Sequence, residues 1–217
     1  MKALYKSITA LLCGLLAVTA AVKAQSHIDQ AFGLGYTRSS VNITALATKG
    51  TAYMKSDMSL RLHTMGLVYM VRKDLLHWKG GSISLGAPIM GGFSWTSRYR
   101  STDTDGTNTY HYQDTLSGTN WAFDVPVVAD LNIGMHSASD ETRSSFGLYV
   151  GAGYAYSLTK IRTTVGNLHY GGYEPLLRAG IRWGSAWERR WCLAFSVRGN
   201  WNNGANKTYG LQLLKEL

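Results

Sequence analysis

The chain has 217 residues and a formal net charge of +9, with 45% hydrophobic and 16% charged residues. That charged share lies below the roughly 25% of an average soluble domain, yet no apolar run reaches the ~20 residues a spanning helix needs, which excludes a helical membrane protein. Glycine is frequent at 24, proline scarce at 3, and tyrosine (13) and tryptophan (7) are generous; one domain is expected at this length.

Residues 1–24 read as a signal peptide. Lys2 and Lys6 form a positive start, "ITALLCGLLAVTAAV" an apolar stretch, and "VKA" a small-x-small cleavage site before Gln25. Cys13 does not make this a lipoprotein signal, because Leu12 before it is too bulky for that processing. Cleavage removes Lys2, Lys6 and Lys23 and lowers the charge from +9 to +6. The domain is then 25–217, with Cys192 as its single cysteine and no intramolecular disulfide. The remaining basic balance does not point to nucleic acid, since an exported chain rarely meets it and several arginines fall inside predicted strands.

Strict alternation then predicts eight strands, over 27–38, 57–71, 81–97, 119–134, 145–159, 172–184, 190–202 and 206–216. In "SISLGAPIMGGFSW", Ile83, Leu85, Ala87, Ile89, Phe93 and Trp95 share one face. In "WAFDVPVVADLNI", Trp121, Phe123, Val125, Val127, Leu131 and Ile133 face away from Asp124, Asp130 and Asn132. "SFGLYVGAGYAYSL" sets Phe146, Leu148, Val150, Tyr154 and Tyr156 against Gly147, Tyr149, Gly151, Gly153 and Ser157. "YEPLLRAGIRW" and "WCLAFSVRGNW" repeat the pattern, with Glu174, Arg178, Arg182 and Arg198 on the non-greasy face. The second strand is the least regular: Met65, Leu67, Tyr69 and Val71 occupy its expected inner face, so a bulge or an apolar plug is expected there.

Three features decide which face is inside. Eleven residues at ~3.3 Å, tilted by ~45°, span about 25 Å, the height of a transmembrane barrel's apolar band. The non-greasy face mixes opposite charges with Gly, Ala and Ser, which suits a narrow packed interior. The connections after strands one, three and five are long, those after two, four and six shorter, and the seventh breaks the trend. On the long-loop side Tyr36, Trp95, Trp121, Tyr156, Tyr173 and Trp201 share the greasy parity, as an aromatic girdle at a membrane interface does. The greasy face therefore points into lipid, and the expected fold is all-β: an eight-stranded antiparallel up-and-down transmembrane barrel. Closure satisfies every backbone amide in the bilayer, and eight strands leave an interior that side chains fill.

"SISLGAPIMGGFSW", "FDVPVVADLNIG", "GLYVGAGYAYSL" and "YEPLLRAGIRWG" resemble strands of the small outer-membrane β-barrel proteins of Bacteroidota, with Pro88 and Pro126 each before an apolar pair and a Gly-x-Gly-Tyr in strand five. The resemblance covers residues 25–217 and implies a barrel in a Gram-negative outer membrane, but no single activity. One departure is the end of the chain, Lys215-Glu216-Leu217, where outer-membrane barrels usually carry an aromatic residue.

No histidine pair has metal-ligand spacing, so no metal and no cofactor is expected. His63 falls on the expected inner face of strand two as a hydrogen-bonded interior group. "HYQDTLS" brings His111, Asp114 and Ser117 close in sequence, the residue types of a hydrolase triad. That loop holds polar residues of every kind, chance proximity accounts for them, and no catalytic residue is assigned. The most specific feature is an interior charge network of Asp124, Asp130, Glu174, Arg178, Arg182 and Arg198, in which Arg198 falls opposite Leu176 and diagonal to Glu174. Salt bridges that fix the barrel's shape are the preferred reading over an ion path. The expectation is a monomeric outer-membrane protein serving envelope structure or surface interaction. Its partners are membrane lipid or lipopolysaccharide and, during insertion, the barrel-assembly machinery. A lipid-modifying enzyme or a narrow solute channel are the alternatives.

Overall fold

The computed structural model describes residues 28–49, 52–78, 80–105, 108–114, 120–134, 145–163, 166–184, 190–199 and 206–217. Residues 1–24 and the cleavage site lie outside them. Nine strands form: β1 (Ile28–Lys49), β2 (Ala52–Trp78), β3 (Gly81–Asp105), β4 (Asn108–Asp114), β5 (Asn120–Gly134), β6 (Phe146–Thr163), β7 (Gly166–Trp183), β8 (Trp191–Gly199) and β9 (Lys207–Glu216). They are ordered β2-β1-β9-β8-β7-β6-β5-β3-β4, with an additional β2–β3 pairing. Eight strands thus close on themselves as an antiparallel up-and-down barrel, and β4 lies outside the ring, paired to β3.

The barrel wall follows the alternation. Phe93, Val127, Val150, Tyr154, Leu177 and Phe195 are exposed, while Asp124, Asp130, Asn132, Arg178 and Arg182 are buried. This inverts the soluble arrangement, in which the apolar face of a sheet meets the core. Small residues let the interior close. At Gly180 a Cβ would lie 2.5 Å from the Tyr149 ring and 2.5 Å from the Leu193 carbonyl oxygen, so only glycine lets β7 approach that ring.

Two expectations are corrected. The strands of the long connections run on beyond the predicted ends. β1 and β2 pair as far as Lys49 opposite Ala52, β6 and β7 as far as Thr163 opposite Gly166, and β3 pairs with β4 from Tyr99–Asp114 to Asp105–Asn108. Past the apolar belt no lipid fixes which face must be apolar, so alternation fades while threonine- and tyrosine-rich segments such as "NITALAT" and "NTYHY" still favour extended pairing. β8, by contrast, ends at Gly199, whose φ is 142°, and residues 200–202 lie outside the described ones.

The second correction concerns β2, whose faces are the reverse of the expected ones. Its register against β1 sets Tyr69 opposite Phe32, Leu67 opposite Leu34 and Met65 opposite Tyr36. Directly paired residues share a face, so Met65 and Leu67 join the exposed belt, and Leu60, Leu62, Val68 and Met70 are buried. The register with β3 shifts between Arg61 and Leu62 and between Asp74 and Leu76, which leaves Ser97 and Leu75 as the extra residues of two bulges.

Candidate functional site: the lumen and its rim

The lumen is built in layers. At the end carrying the short turns, Arg72 of β2 is fully buried and hydrogen-bonded to Asp29. Asp74 lies 3.8 Å from it and Glu216 4.0 Å. Glu216 also stands 3.5 Å from Arg182 Nε, so one carboxylate from β9 links arginines of β2 and β7. Arg182 Nη1 donates to Asn132 Oδ1 at 2.7 Å, and Asn132 Nδ2 donates to the hydroxyls of Ser82 and Ser84 at 3.1 and 2.9 Å.

One layer further, Arg178 grips Asp130 with both arms of its fork: Nε donates to Oδ1 at 2.7 Å and Nη2 to Oδ2. The Tyr149 ring lies under both guanidiniums, 5.3 Å from Arg178 Cζ and 4.4 Å from Arg182 Cζ, a cation–π arrangement in a dry setting. Its hydroxyl lies 3.2 Å from Cys192 Sγ. An apolar septum of Ala31, Val68, Met70, Met90, Ala194 and Leu214 fills the middle of the barrel. Val128, Ala155 and Leu176 form a second, smaller apolar cluster.

Beyond the septum, Arg198 Nη1 lies 2.9 Å from Asp124 Oδ1 and its Nε 3.6 Å from Glu174 Oε2. Tyr170 donates to Glu174 at 3.5 Å, and Asn206 Nδ2 donates to the Tyr170 hydroxyl at 3.1 Å. A cavity of about 10 Å³ remains here, lined by Asp124, Tyr170, Glu174 and Arg198 with Thr37, Thr64 and Ser157; that is room for about one water.

The six charges read from the sequence therefore stand in three places. Asp124, Glu174 and Arg198 meet on one side of the septum, Arg178 and Asp130 pair on the other, and Arg182 turns to Glu216 and Asn132. Arg198 does sit opposite Leu176. Sequence reasoning missed Arg72, Asp29, Asp74 and Glu216. A signal for Glu216 was present: Leu214 and Glu216 share the parity opposite Tyr209, Leu211 and Leu213. Arg72 was hidden by the inverted face of β2.

At the rim of the long hairpins Tyr36, Trp95, Tyr156 and Tyr173 are exposed on the outer wall and Trp121 is half-buried there. Tyr156 and Tyr173 have ring centroids 4.9 Å apart. Trp201 lies outside the described residues. His63 is corrected from an inner to an outer position: its Nδ1 lies 2.5 Å from the Tyr36 hydroxyl and its ring stacks on Trp95 at 5.7 Å. Higher on the same hairpin, Asp57 is paired to Lys55 at 2.7 Å. Hydrogen bonds from Lys55 and then Thr44 hold its carboxyl below the usual range.

His111 lies on exposed β4, with Nδ1 3.3 Å from Thr102 Oγ1. Ser117 and the Asp114 side chain lie outside the described residues. Among the described residues no group of three or more His, Cys, Asp or Glu side chains is arranged to hold a metal ion.

No family model and no curated protein matches the sequence. Among solved structures, the attachment invasion locus protein Ail of Yersinia pestis matches at a TM-score of 0.47 and 10% identity, over 88% of this chain and 98% of that one. Neisserial surface protein A matches at 0.39 and 7%, over 86% and 97%. The outer membrane protein OprG of Pseudomonas aeruginosa matches at 0.39 and 12%, over 88% and 94%.

Proposed function

We propose that the mature chain, after loss of residues 1–24, is a monomeric integral protein of a Gram-negative outer membrane, of the Bacteroidota type. In this reading it is not an enzyme; it presents its hairpins at the cell surface and serves envelope structure or surface interaction. One observation carries the reading: a closed barrel exposes an apolar outer wall, with Phe93 71% and Tyr154 65% exposed, while Arg72 and Arg182 are fully enclosed. Water on that wall would leave the apolar surface unburied, whereas lipid accepts it and the closed ring satisfies the backbone. The charge layers and the septum support a plug rather than a channel, because buried ion pairs held from several strands fix shape. The barrel-assembly machinery is the partner for insertion, and lipid or lipopolysaccharide the resident surroundings.

Labelling from the lipid phase tests this. In a Cys192→Ser background, Phe195→Cys carrying a fluorophore is quenched by a lipid-soluble quencher in vesicles, and Ser196→Cys is not. Equal reaction of both cysteines with a water-soluble maleimide overturns the membrane reading. Planar-bilayer recordings of the same protein should show no steady conductance; a stable ohmic step would replace the plug by a channel.

A further inference from the structure

Cations crowd one part of the outer wall. On β1, Arg38 follows Tyr36 on the outward face and is exposed. Its cross-strand partner on β2 is His63, and the charges of Arg38 and Arg61 both bear on that imidazole. Arg61 in turn pairs across β2–β3 with the position of Arg98, and Ser59 with that of exposed Arg100. On the other side of β1, exposed Lys207 of β9 stands opposite Ser40. Basic residues thus stand at outward positions of four adjacent strands, and like charges brought close on one face of a sheet are destabilising. Among the described residues, the outward positions of these strands carry one acid in this region, Asp57, and it is tied to Lys55 and Thr44.

Position gives the band its meaning. Tyr36, Trp95 and Tyr209 are the exposed aromatics at its lower border, and aromatic rings of this kind sit at the level of lipid headgroups. Arg38 lies two residues beyond Tyr36, about one headgroup layer further out at ~3.3 Å per residue. A guanidinium offers a planar fork that matches two phosphate oxygens. Where the Tyr36 hydroxyl donates to His63 Nδ1, the neutral ring carries its proton on Nε2 and adds a donor.

We propose that this face of β9, β1, β2 and β3 is a binding site for the phosphate of an anionic lipid headgroup, gripped by Arg38 and Arg61 beside His63 and stabilised by the surrounding cations. The proposal rests on the membrane reading above and adds to it a fixed lipid partner on one side of the barrel. The opposite wall carries Lys160 beside Trp121 and serves as the internal control.

The test uses the refolded mature protein in phosphatidylcholine vesicles containing a trace of spin-labelled phosphatidic acid or spin-labelled phosphatidylcholine. The wild type immobilises the phosphatidic acid preferentially. Each arginine removed lowers that preference about fivefold, the factor that corresponds to the contribution of one cation near a charged membrane surface. Arg38→Gln with Arg61→Gln abolishes it, and Lys160→Gln leaves it intact. Arg38→Gln alone, an exposed change that leaves the fold untouched, shows the intermediate value. An unchanged preference in the double variant overturns the proposal, as does complete displacement by millimolar inorganic phosphate, which would assign the cations to a soluble anion. Quenching of belt tryptophans by brominated acyl chains, read on the same samples, separates the two conclusions. Quenching without lipid preference defeats the headgroup site alone, and no quenching defeats the membrane reading.

Discussion

Replacing Arg178 by alanine removes the fork that holds Asp130. The arginine is 4% exposed and Asp130 1%, so the carboxylate has no water to turn to. Its partner contacts are two charge-assisted hydrogen bonds, and the Tyr149 ring loses one of its two cations. Removing one member of a buried pair of this kind costs about 3–5 kcal/mol, because the other charge is left enclosed and uncompensated. With a urea slope of about 2 kcal/mol per molar, the unfolding midpoint should fall by about 2 M. Urea titration of the refolded barrel, followed by tryptophan fluorescence, measures the shift. The double variant Arg178→Met, Asp130→Asn should recover more than half of the loss, since neither residue then carries charge. An unchanged midpoint in Arg178→Ala would refute the argument, and so would a double variant as unstable as the single one. Either result would mean that the lumen at this depth is wet enough to solvate Asp130.

In the outer charge layer, Asp124→Asn should destabilise by about 1.5–3 kcal/mol, the range for a hydrogen bond to a charged group. Glu174→Gln should cost less than Asp124→Asn in the same titration, because its contact with Arg198 is 3.6 Å rather than 2.9 Å. Gly180→Val drives a side chain into the Tyr149 ring and the Leu193 carbonyl; overpacking of this kind costs about 1–3 kcal/mol, read as a lower midpoint or a lower refolding yield. Phe195→Arg places a charge on the exposed apolar wall and should cost roughly 2–4 kcal/mol in lipid, with a much smaller effect in detergent that lets the side chain reach water. Cys192 is fully buried; it should resist maleimide in the folded barrel and react within the urea transition, and prompt labelling of the native protein would show an open lumen.

Much of this molecule is legible in the chain itself. Eight alternating segments, a belt of large apolar side chains on one parity and arginines with carboxylates on the other are enough to argue a closed barrel turned inside out, because a strand's period of two leaves each side chain only two destinations. Asp124, Asp130, Glu174, Arg178, Arg182 and Arg198 could be placed inside on that basis alone. The ends of the hairpins were not legible. Beyond the apolar belt β1, β2, β3 and β4 pair on without any hydrophobic pattern to announce it. Nor was the face of β2: Leu60, Leu62, Val68 and Met70 compete with Met65, Leu67, Tyr69 and Val71, and parity cannot choose between two apolar rows.

What the sequence determined by itself is the eight barrel strands and, for seven of them, which side chains share a wall, since both follow from local alternation; β4, outside the ring, was not among them. What only the tertiary structure decided is partnership across the lumen and across the ladder. Arg182 meets Glu216 rather than the acids of β5, Arg72 belongs to the same layer, and His63 stands outside between Tyr36 and Trp95. These depend on register and on the closure between β1 and β9, which sets Ala31 opposite Glu216 and lets Arg72 share Glu216 with Arg182; no property of a single strand encodes partners that far along the chain.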